Sequence, residues 1–487
     1  MWRVPIILVA LVLLEPGAAV AQSYQMTNLT ANALGKAKQF DPLLSNPWGL
    51  AYQPGGPFWI SDEASGWSTL YDGLGNPQSL QVAIPPATGT NSGTPTGVVY
   101  NASSEFRIKN WAIPFLFASL DGTISGWFAG IPLHTFIGVT QPGASYTGLA
   151  ITAKVSGNRL FAADVANNKI DVYDGSFNLL TNFTDTNMPS GFAPNGIQDL
   201  RGQVYVTYAD TGGGSGGYID IFTEDGSFVK RLSEGAPLDQ PWGLAVAPSG
   251  FGPLSGTLLV ANNTTNGTIN GFNLQTGDLV GTLSDSNGNA ITISGLWGIE
   301  FGGGAPNNGN GQTNQLFFTA GPNDIQGYFG MIQFKLPASY TITLKAAPTA
   351  GGTVAGGGGV KPGAFRTVTA RAKGGYRFSN WTQGTYAVSS ASSYKFTVNG
   401  SETLTANFQQ TFTLRLLASP PLGGSVSGGG TYDNGSGVVA IGTPKSGYLF
   451  KDWTQGTNVL TSGSPYGFTL GTNTILTGHF SKPTNTQ

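Results

Sequence analysis

Cysteine is absent from the 487 residues, and charge is scarce: Asp, Glu, Lys and Arg together make up 10% of the chain, where about 25% is usual. Without cysteine there is no disulfide, no thiolate nucleophile and no thiolate metal ligand, so stability must come from burial and hydrogen bonding. The formal net charge of −2 is too weak for nucleic acid, whose binding runs on clustered Lys and Arg. It is equally unsuited to a polybasic membrane contact. Only two histidines occur, His134 and His479, and they fall in different domains. Apart from the all-glycine match "GGSGG" at 213–217, which is a glycine-rich loop and not a strand-to-helix elbow, no GxSxG, HExxH pair or phosphate-binding loop is found, so the common nucleophilic, zinc-protease and nucleotide signatures have no support. A carboxylate-only or metal-hydroxide mechanism stays open.

Long apolar runs are missing as well, with one exception at the start. Arg3 precedes the run from Val4 to Leu14, and "AVA" at 19–21 precedes Gln22. A basic start, a short apolar stretch and an A-x-A end predict a signal peptide over residues 1–21, with a retained N-terminal anchor as the alternative. The run is shorter than the roughly 20 apolar residues of a spanning helix, and no later stretch approaches that length. A secreted or cell-surface protein without a transmembrane anchor is therefore expected, with the periplasm open as a third location.

What the chain does have is 73 Gly and 29 Pro alongside 40% hydrophobic residues, a composition of turn-dense β-structure and not of disorder. "NPWGLA" at 46–51 returns as "QPWGLA" at 240–245 and as "GLWGIE" at 295–300. Aligning the segments around these strings yields six copies of one pattern: a strand opened by glycine, a turn, a second strand, a polar loop and a third strand. Gly49, Gly97, Gly148, Gly196, Gly243 and Gly298 anchor the copies, about fifty residues apart, a repeat length typical of β-propeller blades. The chain is thus expected to be all-β, with a six-bladed β-propeller over 22–337, two separate β-sandwiches being the alternative. The sixth copy stops after its third strand, and "YQMTNLT" at 24–30 is expected to supply the missing outer strand and remove an exposed edge.

If the first strand of each blade is innermost, the residues just before the glycines ring the upper mouth of the central channel. They are Trp48, Thr96, Thr147, Asn195, Trp242 and Trp297. Ring closure places the three tryptophans in one aromatic half and Thr96, Thr147 and Asn195 in a polar half. The indoles either fill the wedge between blades or form a platform for a sugar ring or apolar ligand. Loops between second and third strands add Asp62, Asp164, Asn262 and Asp324 to the same face. These oxygens either cap their own turns or hold Ca²⁺ or another divalent cation, which takes six to eight oxygen ligands.

A second repeat follows. "GGYRFSNWTQGT" and "SGYLFKDWTQGT" lie at the centre of two tandem β-rich modules, 340–408 and 412–480. Tyr376, Phe378 and Trp381, like Tyr448, Phe450 and Trp453, are expected in their cores.

With "AGGTV", "GGYRFSNW" and "LTANF", both modules resemble the bacterial repeat domain of the internalin B-repeat type, although the second ends in "LTGHF". Residues 24–336, with "NPWGLA", "DGTISGW", "NKIDVYD" and "FTAGPND", resemble exported bacterial six-bladed propeller proteins and, more distantly, NHL-repeat propellers. The resemblance implies export and fold and brings no catalytic residue with it. Metal-dependent lactonases share the ring, but their ligand set does not map onto this chain. A binding protein for a glycan or a cell-surface protein, with the modules as a stalk, is the leading expectation; a lactonase-like metal-dependent hydrolase is the alternative.

Overall fold

Runs such as "FWISD" and "FLFAS" are apolar or small on both faces, which suits strands covered on both sides rather than half-exposed ones. The computed structural model, which describes residues 24–89, 92–130, 133–152, 157–305 and 309–483, places them in that setting. The expected signal peptide lies outside the described residues. Two compact units divide at Lys335 and Leu336.

The first unit is a six-bladed propeller of antiparallel sheets. Its innermost strands are Pro47–Tyr52, Pro95–Tyr100, Tyr146–Thr152, Phe192–Leu200, Pro241–Val246 and Leu296–Phe301. Each is followed in its sheet by strands that come later in sequence, the second blade passing over a separate hairpin of Arg107–Ile108 and Trp111–Ala112. The sixth blade is completed by Tyr24–Ala31, which pairs antiparallel with Tyr328–Phe334. Cores form between blades: Trp59 of the first stacks on Phe115 of the second with centroids 4.2 Å apart. Second strands such as Phe58–Asp62, Phe115–Ser119 and Leu258–Asn262 are buried along their whole length. Outer strands such as Leu179–Phe183 are largely exposed.

The anchoring glycines explain how the ring closes. None has a positive φ, so glycine is required there for space rather than for conformation. A Cβ on Gly49 would lie 2.7 Å from the Thr96 carbonyl oxygen, on Gly148 2.9 Å from that of Asn195, and on Gly196 1.9 Å from that of Trp242. On Gly243 it would meet the Trp297 oxygen at 2.5 Å, and on Gly298 the Trp48 oxygen at 2.6 Å, which brings the circuit back to the first blade. On Gly97 it would lie 2.5 Å from the Leu149 amide. The six glycines form the waist of the channel.

The second unit contains the tandem modules. Trp381 and Trp453 are fully buried at equivalent places, with Tyr376, Phe378 and Phe450 packed around them. The boundary expected between 408 and 412 falls inside one 18-residue strand, Glu402–Ser419. Its first half pairs parallel with Tyr340–Ala347 and its second half with Thr474–Ser481. The two copies therefore share a strand, and an Arg377–Asp433 ion pair joins them beside it.

Candidate functional site: the two ends of the ring axis

At the upper end the three indoles meet. Trp48 and Trp297 stack with centroids 3.6 Å apart and planes 17° from parallel, and Trp242 stands edge-on to both at 6.3 and 6.1 Å. Trp48 and Trp297 are each 8% exposed, because each covers a face of the other; Trp242 is only half-buried. In all three blades the residue two positions before the tryptophan is left-handed, with φ of 44° at Asn46, 52° at Gln240 and 63° at Gly295. This conformation, uncommon outside glycine, turns the chain into the inner strand.

Hydrogen bonds fix the arrangement. Trp297 Nε1 donates to Asn46 Oδ1 at 3.1 Å in the neighbouring first blade. Trp242 Nε1 donates to the Thr147 carbonyl at 3.1 Å, joining the fifth blade to the third past the fourth. Trp48 Nε1 is buried with no acceptor among the described residues.

The polar half of the mouth differs from expectation. Thr96 and Thr147 are buried and serve the seams between blades. Thr96 Oγ1 donates to the Tyr146 carbonyl at 2.7 Å and Thr147 Oγ1 to that of Asn195 at 2.8 Å. Asn195, half-buried, donates from Nδ2 to the Pro241 carbonyl at 3.1 Å. Each side chain satisfies a carbonyl of the next blade, and a buried carbonyl left unpaired would be costly.

The acidic loop residues are engaged locally. Asp62 Oδ2 accepts from Thr69 N at 3.0 Å and Thr69 Oγ1 at 2.7 Å, and burial pushes its carboxyl well above the usual range. Asp164 accepts from Ser145 N and Asn167 N at 3.0 and 3.3 Å. Asn262 donates to the Pro237 carbonyl at 2.7 Å and accepts from Asp239 N at 3.1 Å. Asp324 is exposed at a left-handed φ of 57°. Among the described residues no three His, Cys, Asp or Glu side chains gather as a metal site would require. His134 is exposed at the edge of the second blade, its Nδ1 3.0 Å from the Thr135 carbonyl.

Below the waist lies a feature that the sequence reading missed. A cavity of about 280 Å³ opens between the inner strands, with aliphatic walls from Leu50, Val98 and Ile151 and a polar rim of Tyr52, Tyr100, Gln198, Asp199 and Glu300. Glu300 Oε1 accepts from Phe301 N at 3.1 Å. Desolvation between the channel walls outweighs that bond and pushes its carboxyl up to about 7. Tyr52 is pushed up to about 12 by desolvation and then by Glu300. The signal was present in the same alignment. Two positions after the anchoring glycines stand Ala51, Val99, Ala150, Gln198, Ala245 and Glu300, so the two polar members break an otherwise small apolar series.

Residues 342–412 and 415–484 match the divergent InlB B-repeat domain, which agrees with the resemblance drawn from the modules. Similar folds among solved structures include a gluconolactonase from Xanthomonas campestris, 16% identical, with a TM-score of 0.42 over 65% of this chain and 92% of the other. A virginiamycin B lyase from Staphylococcus aureus is 12% identical, with a TM-score of 0.40 over 64% of this chain and all of the other. Where bacterial propeller relatives were expected, the curated relatives found are viral. Uncharacterized protein R640 of Acanthamoeba polyphaga mimivirus is 33% identical over 48% of this chain and 47% of its own length. Uncharacterized protein R648 of the same virus is 31% identical over 332 residues, which covers 64% of this chain and 80% of that protein. At that identity and coverage, the chain belongs to the family of the mimivirus protein R648.

Proposed function

We propose that the protein is an exported or surface-displayed binding scaffold, with the propeller holding a carbohydrate at its upper mouth and the tandem modules acting as a stalk. The observation that carries this reading is the half-exposed ring of Trp242, standing edge-on to the stacked Trp48 and Trp297 indoles at the mouth. A sugar offers a C–H face for such an indole and hydroxyls for the polar groups around it. The match of both modules to the InlB B-repeat domain supports the stalk. Binding to a glycan panel tests the proposal. Trp48→Phe replaces the indole that backs Trp242 with a smaller ring, so affinity is expected to fall by about 1 kcal/mol, roughly fivefold. Trp242→Ala is expected to abolish binding. Saturable binding that neither change affects would exclude the upper mouth.

Export rests on the sequence pattern at residues 1–21. Expressed with residues 1–21 present in a secreting bacterial host, the chain is expected outside the cytoplasm with Gln22 as its first residue by mass spectrometry. Recovery of intact Met1 in the cytoplasm would refute it.

A further inference from the structure

A cavity of about 430 Å³ opens at the seam between the fourth and fifth blades. It lies at the end opposite the tryptophans, beside the turn that joins the first and second strands of the fourth blade. Leu200, Tyr205, Ile221 and Leu274 supply apolar walls, Arg201 and Lys230 stand at the rim, and no Asp or Glu is among the residues that line it. Among the described residues no ion pair engages either cation. Asp199, two residues from Arg201, lines the axial cavity instead, and Asp225, in the turn before Lys230, pairs with Arg159 at 3.4 Å. We propose that this cavity binds an organic carboxylate with an aliphatic body, its head group between Arg201 and Lys230 and its chain along the apolar walls.

The turn chemistry singles out Arg201. Leu200 pairs with Gln203, so Arg201 and Gly202 alone form the hairpin loop, and both have positive φ, 59° and 80°. A two-residue loop of this kind favours Asn-Gly, and arginine in left-handed backbone is uncommon. A residue set against the local preference points to a role for its side chain. Burial pushes the Tyr205 phenol above its ordinary value while the Arg201 charge pulls it back, so the guanidinium lies within electrostatic reach of a hydroxyl on the cavity wall. Lys230 Nζ donates to the Gln275 carbonyl of the fifth blade, which occupies one of three ammonium protons and leaves two for a ligand. The walls are preformed. A Cβ on Gly277 would lie 1.6 Å from the Leu232 carbonyl oxygen, so the turn that carries Leu274 is pressed onto the outer strand Phe228–Glu234. A guanidinium offers paired donors that match a carboxylate. An inorganic anion would leave the apolar walls wet, and a neutral apolar molecule would leave the cations unused. The volume lies within the range of small-molecule sites, about 300–1,000 Å³.

The test uses the full chain and isothermal titration with octanoate, set against octan-1-ol, which lacks the charge, and acetate, which lacks the aliphatic body. Octanoate is expected to bind saturably and at least about tenfold more tightly than either. Arg201→Asn removes the cation and puts into the turn a residue suited to left-handed backbone. Its thermal midpoint is therefore expected to hold while octanoate binding weakens at least about tenfold. Lys230→Gln, expected to weaken octanoate binding severalfold, gives a second reading from the other side of the rim. No saturable heat, equal binding of octan-1-ol or acetate, or octanoate binding unaffected by both variants would overturn the proposal. The upper-mouth variant Trp242→Ala is expected to leave octanoate binding intact, so this site and the carbohydrate site stand or fall separately.

Discussion

A chain that begins at Asn32, lacking the strand Tyr24–Ala31, is expected to lose the cooperative thermal transition of its propeller. That strand closes the sixth blade by pairing along Tyr328–Phe334. Its first residue also reaches the fifth blade. Tyr24 is 3% exposed, its hydroxyl donates to the Phe251 carbonyl at 2.7 Å, and its backbone amide donates to the Ser284 carbonyl at 3.1 Å. The ring packs on Phe251 and Phe334 with centroids at 5.0 and 5.4 Å. Removing the strand exposes the ladder of Tyr328–Phe334 and opens a core that the fifth and sixth blades share. The single change Tyr24→Ala isolates the packing part. Loss of a large buried aromatic costs about 3–5 kcal/mol, and the phenol's hydrogen bond goes with it. Near-ultraviolet circular dichroism during a thermal melt reads both variants; an unchanged midpoint for Tyr24→Ala would show that the Tyr24 ring is dispensable to closure, and an unchanged transition for the shortened chain would show the same of the strand.

Gly196→Ala is expected to destabilise the propeller by about 3 kcal/mol, the upper end of the usual overpacking range. The added methyl would lie 1.9 Å from the Trp242 carbonyl oxygen, 2.7 Å from its carbon and 2.9 Å from Thr207 Oγ1. A backbone carbonyl cannot swing aside as a flexible side chain does. The inner strands of the fourth and fifth blades would have to separate, lengthening the bond from Asn195 Nδ2 to the Pro241 carbonyl. Gly148→Ala is the internal comparison, since its nearest atom stands at 2.9 Å, and about 1 kcal/mol is expected there. Urea denaturation of the two variants measures the difference. Equal losses at both positions would mean that waist contact does not set the cost.

These two results bear on what the residue string makes visible. The ring was legible because its tightest constraint falls on the backbone, and a backbone contact leaves a glycine at one position in every blade. The missing outer strand was legible for a related reason: a sixth copy that stops early must be completed from elsewhere. The fate of the side chains beside the glycines was less visible. Thr96 and Thr147 have the polarity of a ligand site, yet their hydroxyls bond the carbonyls of adjoining blades, and only the spatial path of the next strand decides between the two. Trp48 and Trp242 sit in nearly the same six-residue string, yet one N–H reaches a carbonyl two blades away while the other has no acceptor among the described residues. Glu300 went unnoticed because the alignment was read one position before the glycines and not two after. In the second unit, the repeat period suggested a gap after Phe408, although no glycine or proline interrupts the chain from Thr403 to Ser419. That lack of any turn signal was the clue to a continuous strand.

The shared strand Glu402–Ser419 has a mechanical consequence. Modules joined by a linker can swivel, and under tension the linker extends before either fold is loaded. Here the connection is itself a ladder element of both copies, in parallel register with Tyr340–Ala347 on one side and Thr474–Ser481 on the other. A pull along the array is passed through backbone hydrogen bonds from the first copy to the second, with no slack between them. Any further copy added by the same rule would lengthen the array without adding a joint.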